Sequence, residues 1–213
     1  MPVYLKRNLQ KDTLLGVWEI TETPDMLLRK IGLNDDEEKQ YCGFRNDTRR
    51  MQWLSYRVLL KELISDEEYS HVIYDEFGKP YLQFNSHHLS VSHSGKYSAA
   101  IVSRHFPVGI DIEIIHPKIE KVIYKFLSDT EINNIGIASR LEQLYVCWGA
   151  KESLYKLYGE KNLLFQEHIW LHPFDYVGKG VFCAEINTGK FQKEYAVRYE
   201  KLDDYMLVYT VAS

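Results

Sequence analysis

Residues 109–113 have the sequence GIDIE, a glycine followed by two isoleucines that alternate with two carboxylates. Successive side chains of a β-strand point to opposite faces, so Asp111 and Glu113 share one face and the isoleucines take the other. The two acids then lie roughly 6.7 Å apart along the strand. Like charges this close repel, and a bound cation would offset the repulsion. An acidic strand face exposed to water is also common, so this stretch alone does not establish a metal site.

The composition is that of a globular protein without a strong overall charge. The 213 residues are 45% hydrophobic and 14% aromatic, enough for one large domain or two small ones. The chain has 26 basic and 30 acidic residues, a net charge of −4. No global basic field attracts nucleic acid or an anionic membrane, so we expect neither as a partner, and any anion site must be local.

The three cysteines, Cys42, Cys147 and Cys183, are scattered and show no CxxC spacing. This pattern argues against a disulfide framework or a structural zinc site. The N-terminal sequence MPVYLKRNLQ has no apolar core after its charges, and no apolar run approaches the ~18 residues of a membrane span. These features predict a soluble cytoplasmic protein with reduced thiols.

The order of predicted elements suggests two similarly built halves. A charged helical stretch at about 35–64 is followed by turns and strands at 78–103. After the GIDIE stretch, a second helical zone at about 119–158 is interrupted near LSDTE, and the last third alternates like antiparallel strands. We predict an α+β fold of two similar α/β halves, residues 1–105 and 106–213, with a site between them.

A carboxylate interrupts an apolar stripe of the second helical zone, within the stretch CWGAKESLYKLYG at 147–159. With side chains at intervals of about 100°, Glu152 falls inside the stripe. The stripe consists of Leu141, Leu144, Tyr145, Trp148 and Tyr155. A lone carboxylate there costs several kcal/mol of desolvation unless a cation or a proton meets it. Glu152 therefore needs a partner.

Two kinds of partner fit Glu152. Lys156, one turn further along the helix, could form a purely structural ion pair with it. Alternatively, the carboxylates of Asp111, Glu113 and Glu152 together suit a hard divalent cation, of which Mg²⁺ is the obvious candidate. Such a cation takes oxygen ligands and keeps some waters for a substrate phosphate. The spacing of these residues leaves both interpretations open.

Four short blocks follow one another along the chain. GKPYL at 78–82 and LSVSHS at 89–94 precede GIDIE at 109–113, and WGAKE at 148–152 is followed by Lys156. The series resembles the signature of the 4′-phosphopantetheinyl transferase superfamily, of the surfactin-synthetase-activating (Sfp-like) type. The blocks of that superfamily signature are GKP, SHS, G-(I/V)-D-(I/V)-E and W-x-x-K-E with a following lysine. Each block is weak alone, but four in this order form a strong signal.

The resemblance implies a fold of two α/β halves related by pseudo-twofold symmetry, with the active site between them. Coenzyme A binds there with Mg²⁺ on its pyrophosphate, and a serine of an acyl or peptidyl carrier protein attacks the β-phosphate. The products are the phosphopantetheinylated carrier and adenosine 3′,5′-bisphosphate, as for a holo-acyl-carrier-protein synthase. Two alternatives stay open: a catalytically degenerate homologue that only holds coenzyme A, and another Mg²⁺-dependent phosphotransferase.

The resemblance also implies roles for residues of the C-terminal half. Asp111, Glu113 and Glu152 ligate Mg²⁺, which offsets the charge developing on the leaving phosphate. Glu152, or a water that it holds on the metal, takes the proton from the attacking serine hydroxyl. Lys156 lies at the pyrophosphate, and Lys151 is a second cation there.

The N-terminal half is expected to contact the nucleotide end of coenzyme A. The resemblance implies that His93 contacts a phosphate, with Ser92 and nearby backbone N–H groups helping. A structural role for His93 is the alternative that the residue alone would favour. His87 and His88 lie outside the SHS block, and we predict that both are surface residues.

Arginines and a lysine of the same half could bind the 3′-phosphate of coenzyme A. Because arginine binds phosphates bidentately, we predict that Arg50 or Arg49 contacts the nucleotide end, together with Lys79 of the GKP block. Arg45 could equally contribute, and the sequence does not separate these arginines.

A basic stretch in the C-terminal half suits an acidic carrier protein. Residues 116–128, HPKIEKVIYKFLS, carry Lys118, Lys121 and Lys125 beside apolar residues. The simpler alternative is an amphipathic helix packed on the core. A chain with two fused halves has less need of subunit partners, so we expect a monomer.

Overall fold

The computed structural model describes residues 3–65, 69–84 and 87–212. The chain divides into two compact units, Met1–His105 and Phe106–Ser213. Each unit combines an antiparallel sheet with helices, so the predicted α+β class is confirmed. The pseudo-twofold relation between the halves stays a prediction. No helix in the described part of the chain is both long and apolar enough to cross a bilayer.

The described part of the N-terminal unit contains six strands and three helices. The strands are β1 (Val3–Gln10), β2 (Thr13–Glu19), β3 (Val72–Tyr74), β4 (Pro80–Leu82), β5 (His88–Ser94) and β6 (Tyr97–Ser103). The helices are α1 (Pro24–Leu28), α2 (Asp35–Gly43) and α3 (Asp47–Leu63). The main sheet has the order β1–β2–β6–β5 with antiparallel neighbours, and β3 pairs with β4 in a separate ribbon.

Helix α3 covers the sheet of this unit and packs mainly on β6 and β2. It begins after Asn46, whose side-chain oxygen accepts a hydrogen bond of 2.8 Å from the backbone N–H of Arg49. Phe44 ends α2 in an extended conformation. The single helix predicted over 35–64 is therefore two helices, because the asparagine cap restarts the helix after an extended break.

The described part of the C-terminal unit contains five strands and three helices. The strands are β7 (Val108–Ile114), β8 (Ile169–Leu171), β9 (Lys179–Asn187), β10 (Gln192–Leu202) and β11 (Tyr205–Val211). The helices are α4 (Asp129–Asn133), α5 (Arg140–Tyr158) and α6 (Phe165–His168), and two 3-10 turns span Pro117–Lys121 and Ile123–Lys125. The strand order is β7–β11–β10–β9–β8, antiparallel throughout. The break predicted at LSDTE is present, with Ser128 capping α4.

Two glycines allow α5 to lie directly against β7 and β11. A Cβ atom on Gly109 would fall 1.8 Å from the carbonyl oxygen of Ser153. A Cβ atom on Gly149 would fall 2.5 Å from a methyl carbon of Val208. Because residues two apart in a strand share a face, Asp111 lies on the same face of β7 as Gly109. The helix therefore covers the acidic face of the GIDIE strand.

Helix α5 is buried on most of its circumference. Leu144 and Ala150 are fully buried, whereas Trp148, Glu152 and Tyr155 are half-buried. Burial therefore varies along the predicted apolar stripe, from fully buried Leu144 to half-buried Trp148 and Tyr155. Glu152 lies where the helix surface begins to open to solvent.

Replacing Gly109 with Ala should lower the free energy of unfolding by more than about 2 kcal/mol, because the new methyl group must displace backbone atoms. Gly149→Ala should cost less, since the side chain of Val208 can shift. Urea denaturation followed by circular dichroism measures both effects.

The control for this series is Gly32→Ala. Nothing lies within 4 Å of a Cβ atom added at Gly32, so the change should stay within about 0.5 kcal/mol. A Gly109→Ala protein as stable as the wild type would contradict the close packing of α5 on β7.

Candidate active site

Strand β7 and helix α5 bring the predicted carboxylates of the C-terminal unit to one region. Asp111 is buried, with 3% of its surface exposed, and Glu113 and Glu152 are half-buried. Glu152 lies three residues after Gly149, which packs on Val208, the cross-strand partner of Asp111. The fold therefore brings Glu152 close to Asp111, as the sequence predicted.

The environment of Glu152 disfavours a negative charge. Burial raises the pKa of its carboxyl group, the charge of Asp111 raises it further, and the charge of Lys156 lowers it. Among the described residues, no hydrogen bond or ion pair is made to the Glu152 carboxylate. A buried carboxylate with a neighbouring like charge is a typical proton acceptor or cation ligand.

Lys156 bonds to the strand rather than to Glu152. Its ammonium group donates to Asp111 Oδ1 at 2.7 Å and to the carbonyl oxygen of Ile110 at 3.0 Å. The structural ion pair that the helix spacing allowed between Lys156 and Glu152 is therefore made with Asp111. The lysine side chain is 25% exposed, so its remaining N–H group can also reach a ligand.

The donor set fits a hard divalent cation, since it offers carboxylate oxygens and a partly open surface. In the structure as it stands, the carboxylate oxygens of Asp111, Glu113 and Glu152 do not all lie within 4.8 Å of one another. Burial raises the pKa of the Tyr145 phenol, the hydrogen bond to His116 opposes that shift, and the charge of nearby Glu113 adds to it. A cation shared by all three acids therefore requires side-chain rotation.

Lys151 lies in the core, away from solvent. Its ammonium group donates to Glu131 Oε1 at 2.8 Å and to the carbonyl oxygens of Phe165 at 2.8 Å and Ile169 at 2.5 Å. These acceptors use all three N–H donors of the group. The prediction that Lys151 is a second cation at the pyrophosphate is therefore wrong. This lysine instead ties α5 to α4 and to the segment around α6.

In the N-terminal unit, helix α3 and strand β5 bring two predicted residues together. Arg49 Nη1 lies 2.8 Å from His93 Nε2. Because a guanidinium group only donates, Nε2 accepts, and a neutral His93 then carries its proton on Nδ1. The Arg49 guanidinium also lies over the ring of Phe44, at 5.5 Å. Arg49 is exposed and His93 half-buried, so the pair can meet a ligand.

Arg50, the alternative to Arg49, has local partners. Its guanidinium group pairs with Asp47 at 3.2 Å and lies 5.4 Å from the ring centre of Tyr41. Of the three arginines that the sequence did not separate, Arg49 is the one beside His93, and Arg45 is exposed.

Lys79 and the histidines outside the SHS block lie near the start of β5. Burial lowers the pKa of Lys79, and the charge of Asp75 opposes that shift. Burial and then the charge of Lys79 lower the pKa of His88. His87 is only 9% exposed and His88 is half-buried, so the prediction that both are surface residues is wrong. The chain at the start of β5 is therefore more buried than its position outside the SHS block suggested.

A groove of 280 Å³ opens beside Glu113 in the C-terminal unit. It is lined by Glu113, Lys118, Ile119, Val122, Tyr145 and Trp148. The stretch predicted as a basic amphipathic helix forms one wall as 3-10 turns. Its lysines are exposed, whereas Ile119 and Phe126 are buried in the core, and contact of this stretch with a carrier protein stays a prediction.

Residues 107–209 match the sequence profile of the 4′-phosphopantetheinyl transferase superfamily. Over nearly its whole length, the C-terminal unit is similar to this superfamily. The matched segment contains the GIDIE strand, the carboxylate of Glu152 and its neighbour Lys156. The carboxylates and Lys156 therefore lie within the segment that the superfamily profile covers, whereas Arg49 and His93 lie outside it.

Named members of the superfamily are similar to parts of the chain. The 4′-phosphopantetheinyl transferase AcpT of Escherichia coli (strain K12) is 31% identical over 122 residues, which is 52% of this chain and 59% of AcpT. The 4′-phosphopantetheinyl transferase Sfp of Bacillus subtilis (strain 168) is 33% identical over 89 residues, 40% of this chain and 39% of Sfp. The chain thus spans little more than half of AcpT and about two fifths of Sfp.

The superfamily blocks did not single out Tyr145 and Glu131. The Tyr145 hydroxyl donates to the carbonyl oxygen of His116 at 3.1 Å and fixes the segment that lines the groove. Glu131 also accepts from the backbone N–H of Leu171 at 2.9 Å and from Ser128. The S-x-x-E capping box around Ser128 was the available signal for Glu131, and nothing in the sequence showed which lysine it would meet.

Replacing Lys151 with Met should lower the free energy of unfolding by about 3–5 kcal/mol, because Glu131 is left buried without its cation. Lys156→Met, which removes a partly exposed ion pair, should cost less. Thermal and urea denaturation compare the two variants.

The double variant Lys151→Met/Glu131→Gln should recover part of the lost stability, since it no longer buries an unpaired charge. If Lys151→Met were as stable as the wild type, the core position of this lysine would be refuted.

Proposed function

We propose that this protein transfers the 4′-phosphopantetheine group of coenzyme A to a serine of an acyl or peptidyl carrier protein. The reaction depends on Mg²⁺ and releases adenosine 3′,5′-bisphosphate. The observation that carries the proposal is the grouping of Asp111, Glu152 and Lys156 inside the superfamily segment 107–209. Relatives named 4′-phosphopantetheinyl transferases match this chain over only part of their length, so the full activity is our inference.

The C-terminal unit holds the reacting end of coenzyme A in this proposal. Asp111, Glu113 and Glu152 hold Mg²⁺ through their carboxylate oxygens. When bound, the cation supplies positive charge to the pyrophosphate and to the leaving phosphate. Lys156 donates a hydrogen bond to a pyrophosphate oxygen, since its position beside Asp111 leaves part of the side chain exposed.

Glu152 acts as the general base. Its raised pKa makes the carboxylate a better proton acceptor than an ordinary surface glutamate. As the serine oxygen of the carrier attacks the β-phosphorus, the hydroxyl proton passes to Glu152. The bond that breaks joins the β-phosphorus to the bridging oxygen, which leaves with adenosine 3′,5′-bisphosphate.

The N-terminal unit binds the nucleotide end. Arg49, joined to His93, presents an exposed guanidinium group for the 3′-phosphate. Lys79 and the hydroxyl of Ser92 complete the set that we assign to the coenzyme A phosphates. We assign Arg50 a smaller share, because its Nη1 atom pairs with Asp47 and its guanidinium group lies over the ring of Tyr41 rather than beside His93.

The carrier protein meets the stretch 116–128. Its lysines Lys118, Lys121 and Lys125 are exposed and suit an acidic carrier, and the groove beside Glu113 continues from this stretch. The monomeric state and the lack of nucleic-acid or membrane partners remain predictions. The cytoplasm remains the predicted location, since cysteines without disulfides suit a reducing compartment.

Incubation with coenzyme A, Mg²⁺ and a panel of apo carrier proteins tests the function. The carrier should gain the mass of one phosphopantetheine group, and removing Mg²⁺ with a chelator should stop the reaction. Binding of coenzyme A without transfer to any carrier would favour the degenerate homologue. Transfer of a phosphoryl group alone would favour another phosphotransferase.

Glu152→Gln should lower the transfer rate at least about a hundredfold, because it removes the base and a cation ligand. Without Mg²⁺, the same variant should be more stable than the wild type at neutral pH. The raised pKa means that the folded state binds this proton more tightly than the unfolded state, so stability falls as pH rises from 4.5 through the raised value. Glutamine carries no charge and avoids that loss.

The exposed Glu160→Gln is the matched control and should change neither rate nor stability. Wild-type turnover in Glu152→Gln would refute the assigned role.

Arg49→Gln should raise the KM for coenzyme A about tenfold or more, since it removes a charged hydrogen bond to the 3′-phosphate. With 3′-dephospho-coenzyme A, the wild type and the variant should differ little. Arg50→Gln is the comparison and should have a smaller effect on the KM. An equal loss for both forms of the coenzyme would instead assign Arg49 to the pyrophosphate.

A further inference from the structure

Three chemically different side chains converge on the C-terminal sheet, on the face that α5 does not cover. His172 follows β8, Cys183 lies in β9 and Glu194 lies in β10. One ligand atom from each lies within 4.8 Å of the other two. An imidazole, a thiol and a carboxylate in this arrangement are the kinds of ligand that bind transition metals.

The strand register produces this convergence. The backbone N–H of His172 donates to the carbonyl oxygen of Cys183 at 3.0 Å, which continues the β8–β9 pairing. Cys183 pairs with Ala196, and Glu194 lies two residues before Ala196 on the same face of β10. Ala184, the neighbour of Cys183, is buried in the core on the opposite face. The three side chains therefore project from the outer face of three consecutive strands.

His172 has a buried ring nitrogen that needs a partner. Its Nε2 atom is inaccessible to solvent and has no hydrogen-bond partner among the described residues. Buried polar atoms in native proteins almost always have a partner. A metal ion between His172, Cys183 and Glu194 would supply one.

The charges on the same face also suit a cation. Glu194 pairs directly across the strands with Glu185, and like charges directly opposite each other destabilise a sheet. The Glu185 carboxylate accepts hydrogen bonds from Gln192 at 2.6 Å and Asn187 at 3.3 Å. Glu194 therefore faces this fixed charge, and its carboxylate also lies within 4.8 Å of the cysteine sulfur. A cation bound beside Glu194 would offset the repulsion.

We propose that His172, Cys183 and Glu194 form a Zn²⁺ site, separate from the carboxylates assigned to Mg²⁺. A thiolate and a carboxylate balance the two positive charges of the ion, and sulfur and imidazole ligands select Zn²⁺ over Mg²⁺. Binding releases the thiol proton to solvent, and the fourth position takes a water. The bound ion would link the residue that follows the edge strand β8 to strands β9 and β10. The site does not depend on the proposed transfer activity.

The spacing of the ligands explains why the sequence argued against a zinc site. His172, Cys183 and Glu194 follow one another at intervals of eleven residues, far from CxxC spacing. In an antiparallel meander the chain reverses direction at each turn. Residues far apart in sequence therefore become neighbours on adjacent strands.

The test uses the full-length reduced protein with excess Mg²⁺, so that hard carboxylate sites are filled. Co²⁺ titration should show one site with thiolate-to-metal charge-transfer absorption, and Zn²⁺ should displace the Co²⁺. His172→Ala and Glu194→Gln should weaken binding at least about tenfold, and Cys183→Ser should abolish the absorption. The control Cys42→Ser, which alters an exposed cysteine of the N-terminal unit, should bind like the wild type.

A second readout is thermal unfolding. Zn²⁺ should raise the Tm of the wild type and of Cys42→Ser, and should leave the Tm of Glu194→Gln nearly unchanged at the same concentration. Glu194 is exposed, so this variant should fold normally, which circular dichroism checks. Absence of a charge-transfer band in the wild type, or its persistence in Cys183→Ser, would overturn the proposal.

Discussion

The close packing of helix α5 on strand β7 is the constraint on which the candidate active site depends. Gly109 and Gly149 have no side chains, so the helix backbone reaches the strand and Val208 directly. At this distance, Glu152 and Lys156 come to lie beside Asp111, although more than 40 residues separate them along the chain. A larger residue at Gly109 would move the helix, and with it the carboxylate and the ammonium group.

The charges of the site are arranged for a ligand rather than for stability. Lys156 compensates Asp111, whereas Glu152 stays half-buried beside that like charge. The second lysine of the motif shows the contrasting case, since Lys151 and Glu131 neutralise each other in the core with every donor used. Two lysines five residues apart on one helix thus have different roles. Lys151 holds α5 to α4 and to the segment around α6, whereas Lys156 is partly exposed and can bind an anion.

Sequence patterns predicted the α+β class, the strand around Asp111, the capped restart at Ser128 and the joint position of Asp111, Glu152 and Lys156. They predicted one helix over 35–64, because Asn46 lies in a polar stretch, RNDTRR at 45–50, and was not recognised as a helix cap. They assigned Lys151 to the phosphate, because a motif records residue types but not which acid faces each lysine. Helical spacing likewise could not distinguish Arg49 from Arg50, whose partners come from β5 and from α2.

By itself, the sequence determined the properties that depend on near neighbours: strand alternation, helix caps, and the order of four short blocks that resemble the superfamily signature. Only the tertiary structure decided which charges are buried, that Lys156 pairs with Asp111, and that His172, Cys183 and Glu194 meet on one sheet face. The physical reason is that periodicity and capping act over a few residues, whereas ion pairs and ligand clusters depend on strand register and helix packing across long separations.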